Sequence, residues 1–289
     1  MKPVLKSPWN EIGDTKLIKI SERLYAKLET ENPTGSIKDR TIQYIVKHAL
    51  TAGEIDMTTV FVEASSGNTG ISLSAIGASL GIPVKIIMPS NMSRERKQMM
   101  EIFGAEIIDA PPSDFKTAIS MRNELVAKHD NVWSPMQFEN HLNIECHHET
   151  TGREILNQVP PFKSISAFFS GAGTGGTIMG VQRAFRENDN KAKCILVVPA
   201  EASDKHGIQG IGDGGDYLVK RDELDGVKEV ATEDAIRRAK RFAFERGVLI
   251  GISSGANLCA AEKYIEEEDP DGIVVITLCD RGERYLSLF

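Results

Sequence analysis

A lysine, Lys38, lies between a turn of small residues and the start of a predicted helix. The turn, residues 33–36, reads Pro-Thr-Gly-Ser. The dipole of a helix favours acids rather than lysine in its first turn, and most lysines in proteins are solvated charges. A small-residue turn, however, leaves room for a ligand. A desolvated lysine loses its proton well below its usual pKa of about 10.4 and can then form an imine. Lys38 is therefore the first candidate for chemistry.

A glycine-containing loop follows Lys38 after one predicted strand. Residues 65–70 read Ser-Ser-Gly-Asn-Thr-Gly and connect that strand to a helix. The unpaired N–H groups and the dipole at a helix N-terminus favour an anion, and the hydroxyls of Ser65, Ser66 and Thr69 add donors. This loop suits a carboxylate, although a plain strand-to-helix turn with an N-cap explains the pattern about as well.

A second glycine loop, Gly171–Thr177, also connects a strand to a helix and lets the backbone approach a phosphate closely. Gly171, Gly173 and Gly176 also satisfy G-x-G-x-x-G, and Glu201 follows at about the distance of a ribose-binding acid, so a dinucleotide site competes. A third junction, Gly251–Gly255, carries Ser253. Its hydroxyl could bond a neutral ring nitrogen, but locally an N-cap serine is the better interpretation.

The elements that position these residues alternate between strand and helix, which predicts a mostly parallel sheet with right-handed crossovers. Hydrophobic patterns and stop signals give the following segments. The predicted strands are 58–62, 84–88, 105–108, 165–169, 194–198, 248–250 and 273–277. The predicted helices are 69–80, 93–103 with Ser93 as cap, 114–129, 145–159, 177–186, 233–245 and 256–267. Residues 201–225, rich in Gly and Asp, predict a long functional loop.

Composition narrows the function classes. The chain has 289 residues, 41% of them apolar, and a net charge of −7, which argues against a nucleic-acid or anionic-membrane partner. The sequence shows neither a membrane-length apolar run nor a secretory signal, so we expect a cytoplasmic protein. The four cysteines form no C-x-x-C pair, which predicts buried free thiols and no metal site.

Taken in order, these motifs resemble the fold-type II pyridoxal-phosphate enzymes, and more narrowly the cysteine synthases (O-acetylserine or O-phosphoserine sulfhydrylases) and cystathionine β-synthase. The resemblance covers nearly the whole chain. The matching segments are Asn32–Arg40, Ser65–Gly70, Gln137–Phe138, Thr150–Gly152, Gly173–Thr177, Ile208–Gly212, Gly251–Gly255 and Asp280–Tyr285.

The resemblance implies a role for each site residue. Lys38 would hold pyridoxal 5′-phosphate as an internal aldimine and then remove the substrate α-proton, and Asn68 would bond the phenolic oxygen of the cofactor. Ser253 would face the pyridine nitrogen. The phosphate would lie on Gly173, Thr174, Gly175, Gly176 and Thr177. The substrate would contact Ser65, Ser66, Gly67, Thr69, Gln137 and Gly210, with its carboxylate on Ser65, Ser66, Thr69 and Gln137.

The resemblance also implies a two-lobed α/β architecture like that of the tryptophan synthase β-chain, with mostly parallel sheets flanked by helices. Residues 1–35 and 141–289 would form the larger cofactor-binding lobe, and residues 36–140 a smaller mobile lobe. The implied reaction is β-replacement on an activated L-serine with sulfide, through an aminoacrylate, to give L-cysteine. The family implies a homodimer, and some members bind the C-terminal tail of serine acetyltransferase.

Some positions depart from the family pattern. Ala64-Ser65 replaces Pro-Thr before Ser-Gly-Asn, and Lys16 replaces the proline of Gly-x-Thr-Pro-Leu. The donor therefore stays open between acetylserine, phosphoserine and serine. The alternatives are a β-replacement synthase with another nucleophile, forming a diamino acid or cystathionine, and a serine or threonine dehydratase. A dinucleotide-binding oxidoreductase, from a different class, leaves Lys38 and the Ser65–Gly70 loop unexplained.

Overall fold

The strands are short and rich in β-branched residues, as the sequence predicts. The computed structural model describes residues 3–202, 205–212, 215 and 217–289. The described strands are β1 (Leu17–Lys19), β2 (Leu24–Leu28), β3 (Val60–Ala64), β4 (Val84–Pro89), β5 (Glu106–Ala110), β6 (Val132–Trp133), β7 (Ile165–Gly171), β8 (Lys193–Pro199), β9 (Gly226–Val230) and β10 (Ile273–Leu278).

Helices connect most of these strands. The described α-helices are α1 (Lys38–Ala52), α2 (Asn68–Leu80), α3 (Arg94–Ile102), α4 (Phe115–Lys128), α5 (Leu142–His147), α6 (Arg153–Gln158), α7 (Gly176–Glu187), α8 (Thr232–Arg246) and α9 (Ile252–Glu268). Left-handed glycines end two of them, Gly81 after α2 and Gly247 after α8. Glycine adopts this conformation at no steric cost, which is why it marks a helix end.

The strands form two sheets. One has six strands in the order β1-β2-β10-β7-β8-β9, and the other has four in the order β5-β4-β3-β6. Among the described strand pairs only β1 and β2 are antiparallel. Parallel neighbours need crossover connections, and helices supply them here. The prediction of mostly parallel sheets flanked by helices is confirmed.

Alternating residues of the six-stranded sheet enter two different cores, because successive strand side chains point to opposite faces. On β7, Ala167 and Phe169 pack with α8 and α9, while Phe168 packs with α7. The four-stranded sheet behaves in the same way. Phe61 packs with residues of α1 and α2, and Val62 packs with Ala118 of α4. Both faces of each sheet are therefore covered, as parallel sheets require.

The chain divides into two compact units. Unit 1 comprises Lys38–Asn140 and an N-terminal segment ending at Ile12, and it contains the four-stranded sheet. Unit 2 comprises Gly13–Ile37 and His141–Phe289, and it contains the six-stranded sheet. The sequence assigned residues 1–35 as a whole to the larger lobe. The roles of the two lobes, mobile and cofactor-binding, stay predictions.

Three local expectations are corrected. The predicted strand 248–250 is wrong, because Ile250 makes only an isolated bridge to Arg281. The predicted helix 145–159 is interrupted by a π-helical turn, His148–Gly152, between α5 and α6. Ser93 does precede α3, but its hydroxyl accepts a hydrogen bond from Arg96 Nε (2.8 Å) and makes no cap bond.

Candidate active site

Lys38 is the first residue of α1 and is half-buried. The next residue, Asp39, is fully buried, and its carboxylate accepts a hydrogen bond from the hydroxyl of Ser72, one turn into α2. This bond fixes the start of α1 to the first part of α2 within unit 1. The lysine and the loop that begins α2 are thus held in register by a buried polar contact.

The turn that precedes Lys38 is itself held within unit 2. Gly35 has a left-handed φ of +80°, and a Cβ there would lie 2.7 Å from Arg281 Cδ. Arg284 Nη2 donates to the carbonyl of Thr34 (2.7 Å). The hydroxyl of Ser36 is completely buried and has no hydrogen-bond partner among the described residues. A buried polar group of this kind is costly unless a ligand pairs with it.

The loop 65–69 begins α2 in unit 1. The Ser65 Oγ accepts backbone N–H groups from Gly67 (3.1 Å) and Gly70 (2.9 Å), so this hydroxyl shapes the loop. Ser66 and Asn68 are half-exposed, and both can reach a ligand. Arg96 Nη1 donates to the carbonyl of Ser66 (2.6 Å). This bond turns the carbonyl toward α3 and adds a positive charge behind an anion-binding loop.

Gln137 contacts the loop 65–69 directly. The Thr69 hydroxyl donates to Gln137 Oε1 (2.6 Å), and Gln137 Nε2 donates to the carbonyl of Ala64 (3.3 Å). Both Thr69 and Gln137 are buried. The structure therefore brings Thr69 and Gln137, two of the residues predicted to bind the substrate carboxylate, into direct contact within unit 1. Gly210, predicted as a further substrate contact, belongs to unit 2.

Sequence reasoning missed the buried ion pair beneath this loop. Glu63 and Arg122 are both fully buried, with Arg122 Nη1 lying 3.2 Å from Glu63 Oε1. Burial raises the pKa of Glu63 to about 7, although the nearby Arg122 guanidinium opposes this shift. The only sequence signal for this ion pair was a glutamate near the end of an apolar strand, directly before the loop 65–69.

The glycine loop Gly171–Thr177 of unit 2 packs so closely against other backbone segments that Gly173 and Gly175 have no room for a side chain. A Cβ on Gly173 would lie 2.6 Å from the carbonyl oxygen of Gly210, and one on Gly175 would lie 2.7 Å from the backbone nitrogen of Val219. Gly175 also has a φ of +93°. Gly210 thus lies directly against the loop, with its own φ at +86°. Only glycine allows this close approach of backbone segments.

The same loop begins α7, a 12-residue helix whose N-terminus has no side-chain cap. Thr174 Oγ1 accepts hydrogen bonds from Asn143 Nδ2 (3.0 Å) and from the N–H of Gly176 (3.3 Å). The Thr177 hydroxyl lies 3.3 Å from His147 Nε2. Uncapped N–H groups, hydroxyls and a backbone without side chains form a cradle that suits a phosphate. Asn143 and His147 are further residues that the sequence did not reveal.

Ser253 is the second residue of α9 and is buried in unit 2. Its neighbour Ser254 accepts a hydrogen bond from the N–H of Cys279 (2.9 Å). Gly251 is the N-cap of the helix, and a Cβ there would meet the carboxylate of Asp280 at 1.9 Å. Asp280 is itself buried and accepts a hydrogen bond from the Tyr285 hydroxyl (2.5 Å).

The predicted site residues therefore fall into two groups. The unit 1 group is Lys38, Ser65, Ser66, Gly67, Asn68, Thr69 and Gln137. The unit 2 group is Gly173, Thr174, Gly175, Gly176, Thr177, Gly210 and Ser253. Each group is compact in its own unit. One contains an amine and a carboxylate-type loop, and the other contains a phosphate-type cradle.

Glu201, the candidate ribose-binding acid, has a structural contact instead. Its Oε1 accepts the N–H of Thr232 (2.8 Å), the first residue of α8. This backbone hydrogen bond lowers the pKa of Glu201. The carboxylate therefore caps a helix, which weakens the dinucleotide interpretation of Gly171–Gly176.

Within the described residues, no helix is both long and apolar enough to cross a membrane. In that same part of the chain, no group of three or more His, Cys, Asp or Glu residues is arranged to hold a metal ion.

The comparison with known families identifies the cofactor. Residues 9–280 match the family model described as pyridoxal-phosphate dependent enzyme. The chain belongs to this family. The family resemblance and the cofactor, both predicted from the motifs, are confirmed.

Individual members of the family are similar over nearly their full length. A protein of Campylobacter jejuni named cysteine synthase B is 38% identical over 288 residues, covering 96% of this chain and 95% of the relative. The structure of a hydrogen sulfide-producing enzyme from Fusobacterium nucleatum has a TM-score of 0.90 at 38% identity, covering 96% of this chain and 89% of that one.

A third relative differs in the reaction that its name states. The O-acetylserine dependent cystathionine β-synthase from Helicobacter pylori has a TM-score of 0.90 at 31% identity, and the match covers 98% of both chains. Since each structural match spans most of both chains, the predicted fold-type II α/β architecture is confirmed.

Proposed function

We propose that this protein catalyses pyridoxal-phosphate-dependent β-replacement on an activated L-serine, O-acetylserine or O-phosphoserine, with sulfide as nucleophile and L-cysteine as product. The observation that carries the proposal lies in unit 1. A lysine at the start of α1 is tied through Asp39 and Ser72 to a helix whose N-terminal loop suits a carboxylate. An amine next to a carboxylate site is what recognition and deprotonation of an amino acid require. The cysteine synthase relatives support the same reaction.

The residues of unit 2 would hold the cofactor. The N–H groups and hydroxyls of the loop 173–177 would bind its phosphate, since anions favour the N-terminus of a helix. The hydroxyl of Ser253 would face its ring nitrogen as a neutral partner. In unit 1, Asn68 is half-exposed and would bond the phenolic oxygen. When bound, the cofactor supplies the electron sink for the charge that develops at Cα.

Lys38 Nζ would hold the cofactor until the substrate amine displaces it, and the lysine amine so released would accept the Cα proton of the substrate. The Cβ–O bond of the activated serine breaks, and acetate or phosphate leaves. Sulfide adds at Cβ, and Lys38 returns a proton to Cα, so that atoms and charges balance. Ser66 and the N–H groups of the loop would hold the carboxylate throughout, next to the Thr69 hydroxyl that donates to Gln137. This contact would fix the Cα–H bond toward Lys38.

The experiment that tests this proposal is cysteine formation by the purified protein loaded with pyridoxal phosphate. O-acetylserine, O-phosphoserine and serine are compared as donors with sulfide. Lys38→Ala should lower turnover on the order of 10³-fold or more, since general base catalysis contributes up to about 10⁴-fold. Lys47→Ala is the matched control, because Lys47 is exposed on the same helix. Absence of cysteine with every donor would refute the proposal.

A second candidate is cystathionine formation, which the name of the Helicobacter pylori relative favours. Homocysteine is therefore compared with sulfide at equal concentration, and faster homocysteine turnover would favour the second candidate. Pyruvate or 2-oxobutyrate release without a nucleophile would indicate a dehydratase. The homodimer, the serine acetyltransferase tail as partner and the cytoplasmic location stay predictions, and sedimentation, pull-down and fractionation test them.

A further inference from the structure

Glu63, whose carboxylate is fully buried, lies two residues before the loop 65–69 that we assign to the substrate carboxylate. Both of its oxygens are engaged. Oε1 accepts the N–H of Ala64 (2.8 Å) and lies 3.2 Å from Arg122 Nη1. Oε2 accepts the N–H of Gln137 (3.1 Å). The mechanism described above makes no use of this carboxylate.

The contacts of Glu63 reach both ends of the loop. Oε1 accepts the backbone N–H of Ala64, directly before the loop, and Oε2 accepts the backbone N–H of Gln137. The side chain of Gln137 then bonds the Thr69 hydroxyl at the far end (2.6 Å). One carboxylate thus fixes the position of Gln137, and Gln137 fixes the direction in which the Thr69 hydroxyl points.

We propose that Glu63 is a positioning residue for substrate binding, which acts in its ionised form by holding Gln137 and, through it, Thr69. The inference rests on the proposed function, because it concerns the same carboxylate site. Glu63 itself touches neither substrate nor cofactor. Its effect should therefore appear mainly in the affinity for the amino acid and much less in the chemical step.

The geometry makes this role dependent on pH. Each Glu63 oxygen faces an N–H donor, so a proton on either oxygen places a donor against a donor and breaks one hydrogen bond. Burial raises the pKa of Glu63 to about 7. The charged groups that face it are Arg122 from α4 and Glu139 from the segment after β6. On β4 its register partner is the apolar Ile86.

The test measures KM and kcat for the amino-acid donor with the cofactor-loaded enzyme, from about pH 6 to about pH 9. For the wild type, KM should rise as the pH falls below about 7. In Glu63→Gln the amide NH₂ faces one of the N–H donors. KM should then be roughly tenfold or more higher at pH 8, without the rise at low pH, and kcat should stay within about threefold.

The second variant is Arg122→Met, which should shift the pH dependence of KM and not remove it. Glu63 keeps its N–H partners but loses the guanidinium that favours its charge, so the rise of KM should move to higher pH. This variant is expected to fold, because an unpaired buried carboxyl can take up a proton instead. Ile82→Val, a buried methyl deletion in the same unit, controls for lost stability and should leave the pH profile unchanged.

Binding of L-serine, followed by the visible spectrum of the bound cofactor, separates this inference from the proposed function. If the wild type forms no cysteine but its affinity for L-serine still falls below about pH 7, the function fails and the role of Glu63 stands. A pH profile of Glu63→Gln identical to that of the wild type overturns the inference. If that variant does not fold, an unshifted profile of Arg122→Met overturns it.

Discussion

Gly176→Ala should damage the phosphate cradle, because the first residue of α7 has no room for a methyl group. An ideal Cβ there would lie 2.0 Å from Asn143 Oδ1 and 2.5 Å from its Cγ. Asn143 is buried, and its Nδ2 donates to Thr174 Oγ1 (3.0 Å). The amide must therefore move, and that movement breaks the bond that holds Thr174 in the loop.

The expected cost combines three terms. Overpacking a buried site costs about 1–3 kcal/mol, and the lost hydrogen bond costs about 1 kcal/mol. Replacing glycine by alanine in a helix returns at most about 1 kcal/mol. The free energy of unfolding should therefore fall by about 1–4 kcal/mol. If the loop shift also loses one hydrogen bond to the phosphate, the Kd for the cofactor should rise about tenfold or more.

The assay follows thermal unfolding of the apoprotein and titration of the apoprotein with pyridoxal phosphate. Gly226→Ala is the matched control, because no atom lies within 4 Å of its ideal Cβ, and it should change neither quantity. The double variant Gly176→Ala with Asn143→Ala removes the clash, so it should be no less stable than Asn143→Ala alone. Wild-type stability and cofactor affinity in Gly176→Ala would refute the reasoning.

Three further outcomes follow from the contacts and pKa shifts. Thr69→Val keeps the shape of the side chain but loses the hydrogen bond to Gln137 (2.6 Å). KM for the donor should therefore rise roughly tenfold, with kcat less affected. An unchanged KM would argue against a role of this contact in substrate binding. The raised pKa of Glu63, about 7, means that the folded state binds the proton more tightly. The free energy of unfolding of the apoprotein, measured in urea, should therefore fall as the pH rises from about 4.5 to about 7, on the order of 3 kcal/mol, and Glu63→Gln should lose that slope. Burial raises the pKa of Cys194 to about 12 and that of Cys259 to about 11, so neither thiol should react with a disulfide reagent at pH 8 until the protein unfolds; fast labelling of either in the native protein would contradict this.

Local sequence signals were sufficient to predict an element when its hydrophobic residues follow one regular pattern or when a glycine ends it. The predicted helix 69–80 and its stop at Gly81 match α2 almost residue for residue, because φ is +74° at that glycine. The predicted strand 273–277 matches β10, which is buried along its whole length. Strands β1 and β2 were not predicted, since their short, mixed sequences become strands only by pairing with each other and with β10.

The π-helical turn 148–152 shows a second limit. The sequence there continues a helical pattern, and the interruption is decided by packing, since a Cβ on Gly152 would lie 2.5 Å from Ala184 Cβ of α7. The predicted strand 248–250 failed for a related reason. Ile250 is buried, Val248 and Leu249 are half-exposed, and among these three residues only Ile250 has a bridge partner.

The sequence alone determined which residues can do chemistry: a lysine after a small-residue turn, and three glycine-containing loops at helix N-termini. Those features are local, because helix dipoles, hydroxyls and glycine conformations act over a few residues. Tertiary structure alone decided what holds them. Glu63 lies far along the chain from Gln137, and Asn143 far from Thr174, yet each pair is joined by a buried hydrogen bond. The raised pKa of Glu63 and the lack of room for a Cβ at Gly176 arise only when distant segments pack together. No local sequence pattern could therefore predict them.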